Sequence, residues 1–349
     1  MSRVSNRPAW QDPLASYAQA SWKRGLIDLA TSIAPYLGLS VAMYALIGVS
    51  VWLTLILSIP AGGFLVRVFV VFHDCTHGSF LPSRAANARV GKVTGLLVLS
   101  PFARWRHDHA VHHASSGDLD RRGVGDVATL TVAEYQARDR RGRIGYRLIR
   151  SPIVMFGLGP VVAMIIGPRI VARDARPRMR NSVLTTDIAL VVIAGALVWL
   201  MGWRDFLLVW APAAMIAGSA GIFLFYVQHQ FEDAYWQDSS KWTYEEAALR
   251  GSSYLRLPKV LQFFTGNIGL HHVHHLNARI PNYNLQAAHD AIPAFADVPT
   301  LTLRDAFAAV KLKLWDEQSG KLVTFAQARQ AARPAITPEL TAAPLHTAP

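Results

Sequence analysis

Two long apolar runs constrain this chain more than any other feature. From about residue 29 to residue 72 almost every side chain is hydrophobic, Arg67 is the one interior charge, and a Gly-Val-Ser break near residue 49 divides the run. At ~20 residues per membrane crossing, this reads as two helical spans, about 29–48 and 50–72. A second apolar pair, 183–202 and 206–227, is divided by Gly202, Trp203, Arg204 and Asp205, which form the short polar turn of a helical hairpin. Trp199 and Trp203 flank that turn, where interfacial anchors belong.

The segment 151–171 is weaker, because Pro152, Pro160 and Pro168 interrupt it. It also lies between two basic runs, 138–150 and Arg173, Arg176, Arg178 and Arg180, and a crossing there would put them on opposite sides of the membrane. The positive-inside bias argues against that, so the segment is read as interfacial or re-entrant. With Arg3, Arg7, Lys23 and Arg24 holding the N-terminus on the cytoplasmic side, four spans return the chain ends at residues 72 and 228 to that side. The expected architecture is all-α, a multi-pass membrane protein of four transmembrane helices with a cytoplasmic histidine-rich cap. Its expected parts are a cytoplasmic N-terminal segment, 1–28, a membrane domain, 29–300, and a cytoplasmic C-terminal segment, 301–332, followed by a disordered tail, 333–349, rich in Ala, Pro and Thr. The polar N-terminus lacks the apolar core of a secretory signal, so the first span is expected to direct insertion itself.

Composition agrees with a membrane protein. Of 349 residues, 52% are hydrophobic and 17% charged, with Lys and Arg at 35 against Asp and Glu at 23. Such an excess suits nucleic acid, acidic lipid or an acidic protein. The basic residues cluster between apolar runs, which favours the membrane and disfavours nucleic acid. The single cysteine, Cys75, excludes an intramolecular disulfide framework and a multi-cysteine metal site, leaving thirteen histidines as the candidate ligands.

Those histidines are grouped. In FHDCTHGSF, His73 and His77 are four apart at the end of the second span, on one face if the helix continues. RWRHDHAVHH places His109, His112 and His113 at i, i+3 and i+4, within one turn and on one face. LHHVHH repeats that spacing with His271, His274 and His275, and His229 in YVQHQFED stands just beyond the fourth span. All fall on one expected side of the membrane. Imidazole suits zinc, copper, iron and nickel alike. A zinc site needs about four ligands, which leaves half of these unexplained, whereas two metals sharing eight or nine nitrogens use them all. His73 begins an H-x-x-x-H, but its second residue is Asp74 rather than the glutamate of a zinc protease. No Glu-x-x-His occurs, which disfavours a carboxylate-bridged di-iron bundle. His289 and His346 read as interfacial or hydrogen-bonded residues.

HDCTHGSF, HAVHH and HHVHH, in this order and separation, resemble the three histidine boxes of the membrane fatty acid desaturase family. YVQHQFEDAYW and HHLNARIPNYNL are similar to its acyl-lipid delta-12 or omega-6 branch in bacteria and plastids. The resemblance covers roughly residues 30 to 300. It implies a non-haem centre of two iron ions held by His73, His77, His109, His112, His113, His271, His274 and His275, with His229 as a ninth ligand. It further implies an oxygen-dependent oxidoreductase that removes hydrogens from adjacent carbons of a lipid-linked acyl chain, giving a cis double bond and water. The expected setting is a bacterial cytoplasmic membrane with the site facing the cytoplasm. His107 and His272 are surplus to the boxes; His272, about 100° round a helix from His271, is expected to be structural or to support a ligand.

A related hydroxylase, ketolase or alkane monooxygenase fits the same histidine spacing. A metal transporter would place ionisable residues at midplane depth in the spans, whereas these histidines gather at span ends and in loops. The chain has no haem-binding His-Pro-Gly-Gly, flavin motif or four-cysteine cluster, so electrons are expected from a separate carrier, and the basic face suits an acidic one such as ferredoxin. Ligating histidines give their second N–H to a carboxylate or carbonyl. Asp74, Asp108, Asp118, Glu232, Asp233, Asn267 and Asn277 are the candidates for that role. Arg67 is either a functional charge in an apolar span or a side chain that snorkels to the interface.

Overall fold

The protein is described by a computed structural model over residues 10–331; Arg3, Arg7, His346 and the expected tail 333–349 lie outside the described residues. Among the described residues, four helices are long and apolar enough to cross a membrane. Helices α1 (Trp22–Leu46) and α2 (Val51–His77) form the first hairpin, and α2 leads into α3 (Arg84–Leu97) and α4 (Phe102–Ser115). After α5 (Arg140–Ile149) and an irregular helical stretch, α6 (Pro177–Met201) and α7 (Trp203–His229) form the second hairpin, followed by the shorter α8 (His271–Leu276) and α9 (Asn282–Ala291). The spans are helical because hydrocarbon offers the backbone no hydrogen-bond partner.

Each span extends beyond the apolar run that marks it. Ser21 caps α1 by accepting from Arg24 N, so the helix starts at Trp22 and brings Asp28 inside the first span. At 1.5 Å per residue the 27 residues of α2 reach ~40 Å, against a hydrocarbon core of ~30 Å. Its last turns, with His73 and His77, therefore continue out of the apolar region. Gly78 ends the helix at φ 71°, a left-handed conformation that glycine adopts without strain.

Helix α2 is the bundle's central element. It packs on α1 and α7 through Met43, Leu65, Val66, Phe72, Ala213, Ala217 and Leu224. Gly62 allows the close approach of α7, since a Cβ there would lie 2.7 Å from Ile216 Cγ2 and 3.1 Å from the Ala213 carbonyl. Helix α6 packs far less, and Val191, Val192, Trp199 and Leu200 stand exposed, as lipid-facing residues should. Trp199 and Trp203, both exposed, flank the expected hairpin turn at Gly202.

The segment read as interfacial or re-entrant is bent. The helical stretch Val154–Arg169 meets α5 at 58°, as a re-entrant loop or a broken span would, with wide turns on either side of Pro160. Both hairpin turns lie at one end of the bundle, so everything between α2 and α6, and everything after α7, gathers at the other. That cap holds short strands which the all-α reading did not include. β1 (Leu130–Thr131) pairs parallel with β4 (Leu314–Asp316), β4 pairs antiparallel with β5 (Lys321–Val323), and β2 (Tyr254–Leu255) pairs parallel with β3 (Thr300–Leu301). The segment 300–323 is thereby sewn onto the cap.

Candidate metal centre

The ends of α2 and α7, the C-terminal half of α4 and the whole of α8 converge, and the expected histidines separate into two groups there. His73, His77, His109, His113 and His274 form the first, and His112, His229, His271 and His275 the second; within a group the candidate ligand nitrogens lie within 4.8 Å of one another. The triplets therefore do not aim at one point, which corrects the single-face reading. Residues i and i+4 are about 40° apart around a helix, whereas i+3 and i+4 are about 100° apart. His109 and His113 stay together while His112 turns to the other group; His271 and His275 stay together while His274 crosses back. The groups touch where the rings of His113 and His275 stack, with centroids 4.2 Å apart.

The Nε2 atoms face inward and crowd. Those of His73 and His109 are 3.0 Å apart, His113 and His274 2.9 Å, His229 and His271 2.9 Å, and His112 and His229 3.2 Å. Buried His77 Nε2 has no hydrogen-bond partner among the described residues. A pair of neutral imidazoles at such distances can share one proton, but five nitrogens in one group and four in the other converge on common points, so the donor set fits two metal ions, and all-imidazole ligation fits iron among others. Burial first, and neighbouring imidazoles next, hold His109, His113, His274 and His275 well below the ordinary histidine pKa. Neutral imidazole is the form that binds metal.

The second N–H groups find only some of the expected partners. His73 Nδ1 lies 3.1 Å from Asp74 Oδ1, as anticipated. His112 Nδ1 lies 2.7 Å from Asp126 Oδ1, and His229 Nδ1 3.0 Å from the Gly251 carbonyl; neither partner was expected. Asp126 sits in the irregular segment after α4, where no periodicity marks it. The remaining candidates are engaged elsewhere: Asp108 with Arg104, Asp118 with Arg121 and Ser239, Glu232 and Asp233 with Lys321. Asn267 donates to the Asn282 carbonyl, and Asn277 accepts from Arg279 N. His107 is exposed and joins neither group. His272 Nε2 lies 3.1 Å from Nδ1 of His289, outside both groups.

Behind Asp74 runs a buried polar chain. Asn282 donates to Asp74 Oδ2 through its backbone N at 2.6 Å and its Nδ2 at 3.1 Å, and Nδ2 also lies 2.9 Å from Asp28 Oδ2. Asp28 in turn forms an ion pair with Arg67, whose guanidinium also donates to the Phe263 carbonyl and lies 4.1 Å from that ring's centroid. Arg67 thus faces a buried partner, in place of the snorkelling alternative. On the other side of the site, Trp105 stacks on His109 at 4.3 Å, and Phe225 lies 5.0 Å from His112.

Comparison with known proteins agrees with this arrangement. The profile of the fatty acid desaturase family matches residues 12–305. A Bacillus subtilis protein named fatty acid desaturase is 45% identical over 312 residues, 89% of each chain. The sn-1 oleoyl-lipid 12-desaturase of Synechocystis sp. is 27% identical over 279 residues, 79% of this chain and 76% of its own. The ferredoxin-linked sn-1 acyl-lipid omega-3 desaturase of the same organism is 30% identical over 236 residues, 64% of this chain and 63% of its own. A profile match over most of the chain, four membrane-length helices and buried histidine groups at their common end lead to one conclusion: this chain belongs to the fatty acid desaturase family of oxidoreductases.

Proposed function

We propose that the chain is an oxygen-dependent, non-haem di-iron desaturase that inserts a cis double bond into a long acyl chain carried on a membrane lipid, at a position like that of its 12-desaturase relatives. The observation that supports this most is the division of nine buried or half-buried imidazoles into groups of five and four at one end of an apolar bundle. A saturated methylene has no acidic proton and no leaving group, so side-chain acid–base or nucleophilic chemistry cannot act on it. Bound iron would supply the oxidant from oxygen. His73, His77, His109, His113 and His274 would hold one ion, and His112, His229, His271 and His275 the other.

The protein's own contribution is placement. Asp74, Asp126 and the Gly251 carbonyl fix the ring orientation of His73, His112 and His229. Trp105 and Phe225 wall the histidines with apolar surface. Electrons would come from a separate carrier. A groove of about 490 Å³ lined by Arg140, Arg143, Arg147 and Arg329 suits an acidic one such as ferredoxin, and two relatives carry ferredoxin in their names. The same arginines favour a cytoplasmic orientation in a bacterial membrane.

Feeding deuterated oleate to cells that express the chain, with mass spectrometry of their lipids, tests the reaction. A diene that has lost two hydrogens is the expected product. A hydroxy acid without a new diene would move the protein to a hydroxylase on the same architecture.

A further inference from the structure

A cleft lies away from the histidines, between α3, the start of α4 and α6. It measures about 770 Å³, and its walls include Lys92, Val93, Leu96, Phe102, Arg178 and Ala189. The side chains of Lys92 and Arg178 have no hydrogen bond or ion pair among the described residues. Both are exposed, and neither is neutralised by a nearby carboxylate among the cleft residues.

The rest of the cleft suits hydrocarbon. Part of its polar wall is satisfied within the protein: Thr185 Oγ1 donates to the Asn181 carbonyl, and Ser182 Oγ accepts from Ala103 N, while the side chains of Asn181 and Thr186 remain open to a headgroup or to water. Arg178 is in the first turn of α6, and Ala189 lies eleven residues further along, ~16 Å at 1.5 Å per residue. That is about half of a ~30 Å hydrocarbon core, the depth of one leaflet. A positive mouth at the histidine end of a span, opening onto an apolar trough one leaflet deep, has the dimensions and polarity of one lipid.

We propose that this cleft is a binding site for an anionic phospholipid, with the phosphate between Lys92 and Arg178 and one acyl chain along Val93, Leu96, Phe102 and Ala189. The N-terminal end of the α6 dipole adds to the attraction for the phosphate. The site is separate from the histidine groups: Phe102 packs on Phe72 at 6.2 Å, and Phe72 on Trp105 at 5.2 Å, so three aromatic rings intervene before His109.

The test is lipid retention and needs no turnover. Full-length protein is placed in nanodiscs of equal phosphatidylglycerol and phosphatidylcholine, extracted into mild detergent and examined by native mass spectrometry. The expected result is one retained phosphatidylglycerol per chain in preference to phosphatidylcholine. Lys92→Gln with Arg178→Gln should reduce that retention by roughly tenfold or more, since each basic residue at an anionic surface carries a substantial share of the attraction. Ala189→Trp, which fills the trough and leaves both charges, should also lose the lipid. Retention unchanged in either variant, or equal retention of phosphatidylcholine by the parent protein, would overturn the proposal. A matching histidine-to-metal ratio in all three proteins shows that the variants are folded.

Discussion

The Nδ1 atom of His112 lies 2.7 Å from Asp126 Oδ1, and both side chains are largely withdrawn from solvent. His112 is the one residue of α4 that turns to the second histidine group, so its ring orientation decides whether that group closes. The aspartate favours the tautomer with its proton on Nδ1, which would leave Nε2 free for a metal ion.

Replacing Asp126 by Ala should therefore lower metal affinity about 10- to 100-fold, with most of the loss at the second group. Asp108→Ala is the control, because Asp108 is also near the second box but pairs with Arg104 and touches no ligand. Iron titration of the two purified variants checks this. Equal affinities would remove Asp126 from the site.

The division of the histidines gives a sharper expectation. His113→Ala should weaken the first group, and His271→Ala the second, so each variant should fall from two irons per chain towards one rather than to none. His107→Ala should keep both. Elemental analysis with Mössbauer spectroscopy distinguishes these cases. A parent protein holding one zinc and little iron would reject the di-iron reading altogether.

Much of this was legible in the sequence, and the reasons are physical. Span number follows from apolar length, and the grouping of eight histidines follows from i, i+3, i+4 spacing, whereas His229 and the reading of all nine as ligands come from the family resemblance. Spacing could not assign ligands to groups, because that depends on how α4 and α8 are rotated against α2 and α7. Asp28 escaped notice because the apolar run begins at residue 29, whereas the Ser21 cap starts the helix about two turns earlier. Asp126 and Gly251 lie in irregular backbone, where partners are set by tertiary contact alone.

The Arg67–Asp28 pair joins the first two spans and, through Asn282, reaches Asp74. Removing one member of a buried ion pair leaves the other uncompensated, at a cost of about 3 kcal/mol or more. Arg67→Ala and Asp28→Ala should each lower the thermal midpoint in detergent. The double replacement should be less damaging than the sum of the two, because it leaves no orphaned charge. Strict additivity would show that the pair carries no coupling.

Lys313 provides a pH dependence independent of the metal. Its ammonium is buried, donates to Tyr226 Oη at 3.3 Å and lies beside Met155. Arg150 is the other cation in this pocket, and it donates to the Ala128 carbonyl and to Gln230 Oε1 at 2.8 Å. Tyr146 donates to the Lys313 carbonyl at 2.7 Å, and no carboxylate is among these partners. Burial first, and Arg150 second, push the lysine down to about 7. An unfolded lysine titrates near 10.4. Between these values the unfolded chain binds the proton that the folded chain has lost, so stability rises with pH through that window. Below pH 7 both states are protonated, the contribution no longer changes, and the cost of the buried charge is carried in full. The thermal midpoint of the parent protein should accordingly rise between pH 7 and pH 9, after correction for the detergent baseline. Lys313→Met keeps the chain length and the contact with Met155 but removes the charge, so its midpoint should be higher than the parent's at pH 7 and should lose that part of the rise. A Lys313→Met profile parallel to the parent's would show that the ammonium is paired or solvated in the folded protein.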